Sequence, residues 1–245
     1  MKTLLTIFNR LMEAKEYEKA NQIAEKMVHE TMISYNSISS QYRAARKEGM
    51  RESEVEMWRK SISYLKNIEK ETIFLDVGAG FGKDLEYANN ELGVKTFGID
   101  NSKEFIKILK ERAARGDFAS DLIFEGDMRK MDFFKDEMFD LVRSNASLLH
   151  LPVICKGYMA DMAVSEFYRI LKSGGILYLL LKKGSGLQVI DTNEQLGGRL
   201  YQLYDEQSIK DLLERNGFEI VFINVEKRSR LDYYIDWINV IARKV

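Results

Sequence analysis

Three glycines alternate over residues 78–82, directly after an apolar run that ends in Asp76. Glycine lets the backbone approach a ligand at positions where a Cβ atom would collide. A second apolar run, 94–99, ends in another acid, Asp100. An acid at the tip of such a strand can accept hydrogen bonds from the two hydroxyls of a ribose. These residues predict a site for a ligand that contains adenosine.

The spacing of the glycines bears on which adenosine compound fits. Dinucleotide sites use the pattern G-x-G-x-x-G, with a pyrophosphate at the N-terminus of the following helix. Here the pattern is G-x-G-x-G, flanked by Asp76 and Asp84. Two carboxylates so close would repel a pyrophosphate, but they suit a cofactor that carries a sulfonium and an ammonium group. The spacing therefore favours S-adenosylmethionine as the ligand. The alternative ligand, a nicotinamide dinucleotide, would make the chain an oxidoreductase.

Composition excludes several classes of protein. The 245 residues are 45% hydrophobic and 31% charged, as in an ordinary globular protein. The 37 basic and 38 acidic residues nearly cancel, which argues against a large nucleic-acid-binding surface. A single cysteine, Cys155, permits neither an internal disulfide nor a zinc cluster. We expect a cytoplasmic protein without a signal peptide or a membrane span, present as a monomer or a homodimer.

The elements that must position these residues follow from the hydrophobic pattern. Apolar runs alternate with helical segments from residue 72 to residue 182, which is typical of a parallel sheet with helices on both faces. Helices are predicted over 3–30, in two pieces, and over 52–68, whereas 31–50 is less periodic. Two final runs, 218–225 and 233–242, predict an antiparallel hairpin at the sheet edge. The pattern predicts a helical cap at 1–68 and an α/β domain at 69–245, with a glycine-rich substrate loop at 183–204.

Further segments follow the glycine run in order: 97–102, 125–128, 139–145, 169–175 and the last strand with Trp237. Together with 74–82 they resemble the class I S-adenosylmethionine-dependent methyltransferase family of the small-molecule type, over roughly residues 70–245. The resemblance implies a Rossmann-like, seven-stranded, mostly parallel sheet with strand order 3-2-1-4-5-7-6. It also implies S-adenosylmethionine as cofactor and S-adenosylhomocysteine as product. The implied cofactor-binding residues are Tyr35, Tyr42, Asp76, Gly78, Ala79, Gly80, Gly82, Asp100, Asn101, Gly126, Asp127, Met128, Ser144 and Asn145.

Several of these residues have an alternative structural role. In the family, the acid at Asp127 meets the adenine amino group, but an acid before a short turn also caps that turn. The tyrosines at 35 and 42 resemble a segment that covers the cofactor, yet their spacing with Ile38 also suits plain helix packing. Asp76 could accept hydrogen bonds from loop amides as well as position the cofactor.

Acceptor-binding residues are predicted in two places. His150 follows the fourth strand, where acceptors are oriented in this fold, and it could remove a proton from a hydroxyl or amine; alternatively it only shapes the pocket. Arg199 lies in a Gly-Arg-aromatic segment and could bind an acidic acceptor group, with Tyr201 and Tyr204 as pocket walls. The alternative is a solvated loop with one structural arginine.

Two absences from the sequence narrow the acceptor. The end of strand four lacks the Asn/Asp-Pro-Pro-Tyr/Phe motif of aminomethylating DNA enzymes, and Asn145 alone supplies no oxygen cage for Mg²⁺. We therefore expect metal-independent methyl transfer to a small molecule, with nucleic acid disfavoured. Two alternatives stay open. One is a tRNA or protein acceptor, bound through Arg43, Arg46, Lys47 and Arg51. The other is a non-catalytic module that binds S-adenosylmethionine.

Overall fold

The structure is a computed structural model that describes residues 1–44, 49–65, 71–118, 122–191, 198–230 and 233–245. A seven-stranded sheet forms its centre, in the order β3-β2-β1-β4-β5-β9-β8. The neighbouring pairs from β3 to β5 are parallel, whereas β9 runs antiparallel to both β5 and β8. The strands are β1 Ile73–Val77, β2 Lys95–Asp100, β3 Ile123–Glu125, β4 Phe139–Asn145, β5 Leu171–Lys182, β8 Phe218–Arg230 and β9 Tyr233–Lys244.

This order confirms the predicted fold, because β8 and β9 are the sixth and seventh strands of the sheet along the chain. The final two runs form the predicted antiparallel hairpin, with β8 at the edge. Seven α-helices are described: α1 Lys2–Glu13, α2 Tyr17–Ala44, α3 Glu52–Ser63, α4 Lys83–Glu91, α5 Lys103–Ala114, α6 Ala160–Ile170 and α7 Glu206–Glu214. None of the helices in the described part of the chain has the length and apolar content needed to cross a bilayer.

Helices cover both faces of the sheet. Buried side chains of α1, α2, α6 and α7 share one apolar cluster with β1, β4 and β5. Those of α3, α4 and α5 form a second cluster on the other face. On β5, residues 177, 179 and 181 belong to the first cluster and residues 176, 178 and 180 to the second. A strand buried on both faces reads as a continuous apolar run, which is why this element is visible in the sequence.

The structure extends the second helix beyond the sequence prediction. The segment 31–50 shows little apolar periodicity, yet α2 continues as one helix to Ala44. Its buried face there carries small hydroxyl side chains, with Thr31, Ser34 and Ser39 almost fully buried. Thr31 Oγ1 donates to the Met27 carbonyl, four residues back in the same helix, at 2.9 Å. Because three hydroxyl residues share this face with a single buried apolar residue among those described, Ile38, the hydrophobic pattern is weak here.

The predicted substrate loop at 183–204 contains regular structure. Strands β6 (Leu187–Asp191) and β7 (Gly198–Gln202) pair as an antiparallel hairpin, separate from the main sheet. The backbone N–H of Leu200 donates to Thr31 Oγ1 at 3.0 Å, which ties β7 to α2. The predicted substrate loop therefore includes a hairpin. Its role in acceptor binding stays a prediction, as does the division at residue 68.

Candidate cofactor and acceptor site

A cavity lies at the carboxyl ends of β1, β2 and β4, with α2 along one side. Its lining residues include ten that were predicted from sequence: Tyr35, Gly78, Gly80, Asp100, Asn101, Gly126, Asp127, Met128, Asn145 and His150. Ten others were not predicted: Val28, Thr31, Met32, Val77, Ile99, Ser102, Phe105, Ala146, Ser147 and Leu151. Parallel strands bring their carboxyl ends to one edge, so nine residues of the first group, from Gly78 to His150, converge there. Tyr35 joins them from α2.

The glycine turn after β1 needs its glycines for two different reasons. Gly78, Gly80 and Gly82 all have positive φ angles, of +74°, +56° and +83°. A Cβ atom on Gly78 would lie 2.3 Å from the Cβ of Ser147, whereas one on Gly80 would meet no atom within 4 Å. Gly78 therefore permits close packing against the end of β4, and Gly80 supplies a backbone conformation and leaves space in the cavity.

Replacing Gly78 with alanine should destabilise the fold by about 2–4 kcal/mol, because an overpacked contact adds to an unfavourable backbone conformation. Gly157→Ala is the matched control, since Gly157 has a φ of +86° but open space around its Cβ position. The control should lower the free energy of unfolding by about 1 kcal/mol, which is the cost of a positive φ angle for alanine alone. Chemical denaturation of both variants measures the difference, and equal losses would show that the contact with Ser147 is unimportant.

Asp100, at the end of β2, connects the two loops that bound the cavity. Its Oδ2 accepts from the backbone N–H of Gly80 and its Oδ1 from that of Ser102, both at 2.8 Å. Burial raises the pKa of this carboxyl to about 6, although the backbone N–H groups favour its charged form. Each carboxylate oxygen retains a second lone pair, so Asp100 can accept further hydrogen bonds from a ligand in the cavity.

Ser102 is a site residue that the sequence analysis missed. It caps α5 by accepting from the Phe105 N–H at 3.3 Å, and its hydroxyl donates to Asn36 Oδ1 on α2 at 2.6 Å. A serine directly before a helical pattern is a capping signal, so its place was detectable. Its contact with α2 was not, because that contact depends on how the helix packs.

The carboxylate of Asp127 lines the cavity but is occupied by Arg129. The Arg129 backbone N–H donates to Oδ1 at 2.9 Å, and its guanidinium contacts Oδ2 at 2.6 Å. Burial opposes ionisation, but the Arg129 guanidinium and N–H hold the pKa of Asp127 below its usual range. The same guanidinium reaches Glu25 on α2 at 2.7 Å. The hydrogen bond from the Arg129 N–H is the one expected if Asp127 caps the turn. The contact of Asp127 with the adenine amino group stays a prediction.

Four predicted cofactor residues lie behind the cavity wall and do not line it: Asp76, Ala79, Gly82 and Ser144. Asp76 is buried in β1, and burial together with the nearby charge of Asp84 raises its pKa well above the usual range. The hydroxyl of Ser144 pairs with that of Ser147 at 2.7 Å and supports the 3₁₀ turn at 148–150. These residues shape the turn and strand end that the cavity rests on. The side chain of Tyr42 is outside the described part of the chain.

Tyr35 and His150 both line the cavity and contact each other. The Tyr35 hydroxyl lies 2.9 Å from His150 Nε2, and His150 Nδ1 lies 2.6 Å from the Leu200 carbonyl oxygen. Since a carbonyl only accepts, Nδ1 carries the proton and Nε2 accepts from the tyrosine. Burial, followed by the charges of Arg199 and Lys182, lowers the pKa of His150 to about 4. The imidazole is therefore neutral at neutral pH.

Aromatic rings and cations surround this pair. The Arg199 guanidinium lies 5.2 Å from the Tyr35 ring centre, and the Tyr201 ring lies 4.9 Å from that of His150. Lys182 Nζ lies 3.7 Å from the Tyr201 ring centre. Arg199 and Tyr201 are buried in β7, so the alternative of a solvated loop does not apply to them. Tyr204 is fully buried, and it does not line the cavity.

Known proteins match this chain in sequence and in fold. Residues 75–179 match a family described as a methyltransferase domain. The chain is 25% identical over 234 residues to a phosphoethanolamine N-methyltransferase of Plasmodium falciparum, covering 94% of this chain and 79% of that protein. It is 28% identical over 163 residues to phosphoethanolamine N-methyltransferase 2 of Caenorhabditis elegans, covering 63% of this chain. The matched region spans only 33% of the worm protein.

A solved structure shares the fold. The 1,6-didemethyltoxoflavin-N1-methyltransferase of Burkholderia thailandensis, with bound 1,6-didemethyltoxoflavin and S-adenosylhomocysteine, superposes with a TM-score of 0.63 at 18% identity. The alignment covers 87% of this chain and 88% of that one. The matched sequence family, the relatives and the strand order of the sheet together show that the chain is similar to class I S-adenosylmethionine-dependent methyltransferases.

Proposed function

We propose that this chain transfers a methyl group from S-adenosylmethionine to a small-molecule acceptor, without a metal ion. The observation that carries the proposal is that one cavity joins the glycine turn and Asp100 to the hydrogen-bonded pair of Tyr35 and His150. The glycine turn and Asp100 suit an adenosine compound, and the pair of Tyr35 and His150 can accept and transfer a proton. Both relatives and the solved structure described above are named for small-molecule acceptors.

The residues present fit the family's cofactor. Asp100 offers carboxylate lone pairs to ribose hydroxyls, and Gly80 leaves open space where a side chain would stand. Ile99, Phe105 and Met128 give the same cavity apolar walls that suit a purine ring. When bound, S-adenosylmethionine supplies a methyl group on a positively charged sulfur, which is already a good electrophile. The protein then has to align the acceptor, exclude water and remove a proton.

Tyr35 and His150 are placed to remove that proton. The neutral His150 accepts the Tyr35 proton at Nε2, and the phenol oxygen can in turn accept a proton from an acceptor hydroxyl or amine. In this relay, the acceptor proton passes to Tyr35 Oη as the Tyr35 proton passes to His150 Nε2. The hydrogen bond from Nδ1–H to the Leu200 carbonyl holds the ring and stabilises the imidazolium that forms.

The charges around the pair favour an acceptor that carries an acid group. Arg199 and Lys182 both lower the pKa of His150. An anionic acceptor beside them would offset this effect and raise the pKa toward its usual range, so that the base is strengthened when the acceptor is bound. Phosphoethanolamine, named for two of the relatives, carries such a group.

We infer that the N-terminal helices and the β6–β7 hairpin set the choice of acceptor. Tyr35 comes from α2, and Leu200 from β7, and the two elements are joined through Thr31. Holding donor and acceptor in line can contribute up to ~7–11 kcal/mol to catalysis without a metal.

The test is transfer of labelled methyl groups from S-adenosylmethionine into a metabolite extract, with and without a chelator. We expect label in an acid-bearing small molecule, unaffected by the chelator and reduced with the Asp100→Ala variant when S-adenosylmethionine is limiting. Label in the RNA or protein fraction would favour the macromolecular alternative. Binding of S-adenosylhomocysteine without transfer to any fraction would indicate a non-catalytic module, and loss of transfer with chelator would refute metal independence.

A further inference from the structure

A buried charged cluster lies behind the cavity, on the face of the sheet covered by α3 and α4. Asp84, in the first turn of α4, is its centre. Asp84 Oδ1 accepts from the indole N–H of Trp58 at 2.7 Å and lies 3.3 Å from the Arg143 guanidinium. Its Oδ2 accepts from Asn145 Nδ2 at 3.0 Å. Methyl transfer as proposed above uses neither Asp84 nor Arg143.

The position of Arg143 is unusual for a cation. Its side chain is fully buried in β4, between the rings of Trp58 and Tyr178, whose centres lie 4.0 and 3.9 Å from the guanidinium carbon. Within the described residues, its Nε and one terminal nitrogen have no hydrogen-bond partner. Cation–π contacts on both faces and the charge of Asp84 therefore compensate it. This arrangement holds the Asp84 carboxylate in place beside a buried guanidinium.

Asp84 determines which end of the Asn145 amide faces the cavity. The Oδ2 atom of Asp84 accepts from Asn145 Nδ2, so Asn145 presents its NH₂ group to Asp84. The amide oxygen is then the end available to a ligand. Asn145 lines the cavity and Asp84 does not. The residue that contacts a ligand here is thus Asn145, with an orientation set from behind.

We propose that Asp84 is a positioning residue that orients the Asn145 amide so that its oxygen accepts a hydrogen bond from the α-ammonium group of the cofactor. The inference rests on the proposed function, since it requires that the cavity bind S-adenosylmethionine. It assigns recognition of the amino-acid end of the cofactor to Asn145. It also makes α3 part of that recognition, because Trp58 supplies one of the hydrogen bonds that hold Asp84.

Two ligands that differ in the amino-acid end test this proposal. S-adenosylhomocysteine carries the ammonium group, whereas 5′-methylthioadenosine keeps the adenosine and the sulfur but lacks it. In Asp84→Asn the amide at 84 can present either end to Asn145, so the orientation is no longer fixed. By calorimetry, we expect the affinity for S-adenosylhomocysteine to fall about tenfold, and that for 5′-methylthioadenosine to change less than twofold. The ratio of the two affinities is insensitive to a partly unfolded sample.

Two further variants sharpen the result. Trp58→Phe keeps a ring against Arg143 but removes the N–H donor. It should lower the ratio of the affinity for S-adenosylhomocysteine to that for 5′-methylthioadenosine about threefold. Asp161→Asn is the matched control, because Asp161 is a buried carboxylate on α6 that pairs with Arg215 at 2.7 Å and does not line the cavity. Its ratio should equal that of the wild type.

The outcomes separate the two proposals. An equal loss of both affinities in Asp84→Asn, or no loss of either, would overturn the role of Asp84 and leave the proposed function intact. A wild-type protein that binds neither S-adenosylhomocysteine nor S-adenosylmethionine would overturn the proposed function, and this inference with it.

Discussion

Replacing Asp100 with alanine should weaken the binding of S-adenosylhomocysteine by about 1–3 kcal/mol, or roughly 5- to 150-fold. In the proposed site this carboxylate accepts from the ribose hydroxyls, and such hydrogen bonds to a carboxylate are charge-assisted. It also receives the N–H groups of Gly80 and Ser102, so its loss leaves two loop amides without their acceptor. Calorimetry on the purified variant measures the effect.

A control is needed because the same change loosens the two loops. Asp140→Ala removes a carboxylate that accepts from the Ile73 N–H at 2.8 Å, in a comparable bond to a strand end, but does not line the cavity. Its affinity should stay within twofold of the wild type. Wild-type affinity in Asp100→Ala would refute the assignment of Asp100 to the ribose.

The pH dependence of binding gives an independent check on Asp100. Its pKa of about 6 is above the ordinary value, so the unliganded carboxyl gains a proton as the pH falls through 6. A protonated carboxyl loses acceptor capacity, and the ligand should therefore bind with constant affinity between pH 7 and 8 and progressively more weakly below pH 6. In the Asp100→Ala variant, the affinity should not show this fall below pH 6. Tighter binding at pH 5 than at pH 7 in the wild type would contradict the argument.

How far the fold can be read from the sequence depends on which contacts define each element. Strands such as β5 are buried on both faces, and their apolar runs are visible without knowledge of the partner strands. The second half of α2 was not visible, since it buries Thr31 and Ser34 in place of apolar residues. The β6–β7 hairpin was hidden because glycines in the segment favour a loop, whereas Leu200 and Tyr201 are packed by tertiary contacts.

In the candidate site too, some residues could be predicted from the local sequence pattern, whereas others depend on tertiary packing. Residues on the glycine turn and at strand ends, such as Gly80 and Asp100, were predictable because the topology places them at one edge. Val28 and Met32 were not, because their place in the cavity depends on how α2 packs across that edge. Arg129 was also missed, since nothing in the sequence indicates that its guanidinium joins Asp127 to Glu25 on another element.

The second large effect concerns the pair of Tyr35 and His150. Tyr35→Phe removes the hydroxyl that lies between the proposed acceptor and the imidazole, and should lower kcat by about 10²–10⁴-fold, the usual contribution of a general base. The affinity for S-adenosylhomocysteine should change less than threefold, because the phenyl ring remains against the cavity. Tyr64→Phe is the matched control, since the Tyr64 hydroxyl donates to the Val221 carbonyl at 3.2 Å and does not line the cavity.

His150→Ala should produce a loss of similar size, since the phenol then has no base to receive its proton. If the two residues act as one relay, the double variant should be little slower than either single variant, because each change alone already interrupts the path. Additive losses would show that Tyr35 and His150 act independently. An unchanged kcat over a pH series in His150→Ala would leave His150 as scaffold, held by Leu200 to shape the acceptor end of the cavity.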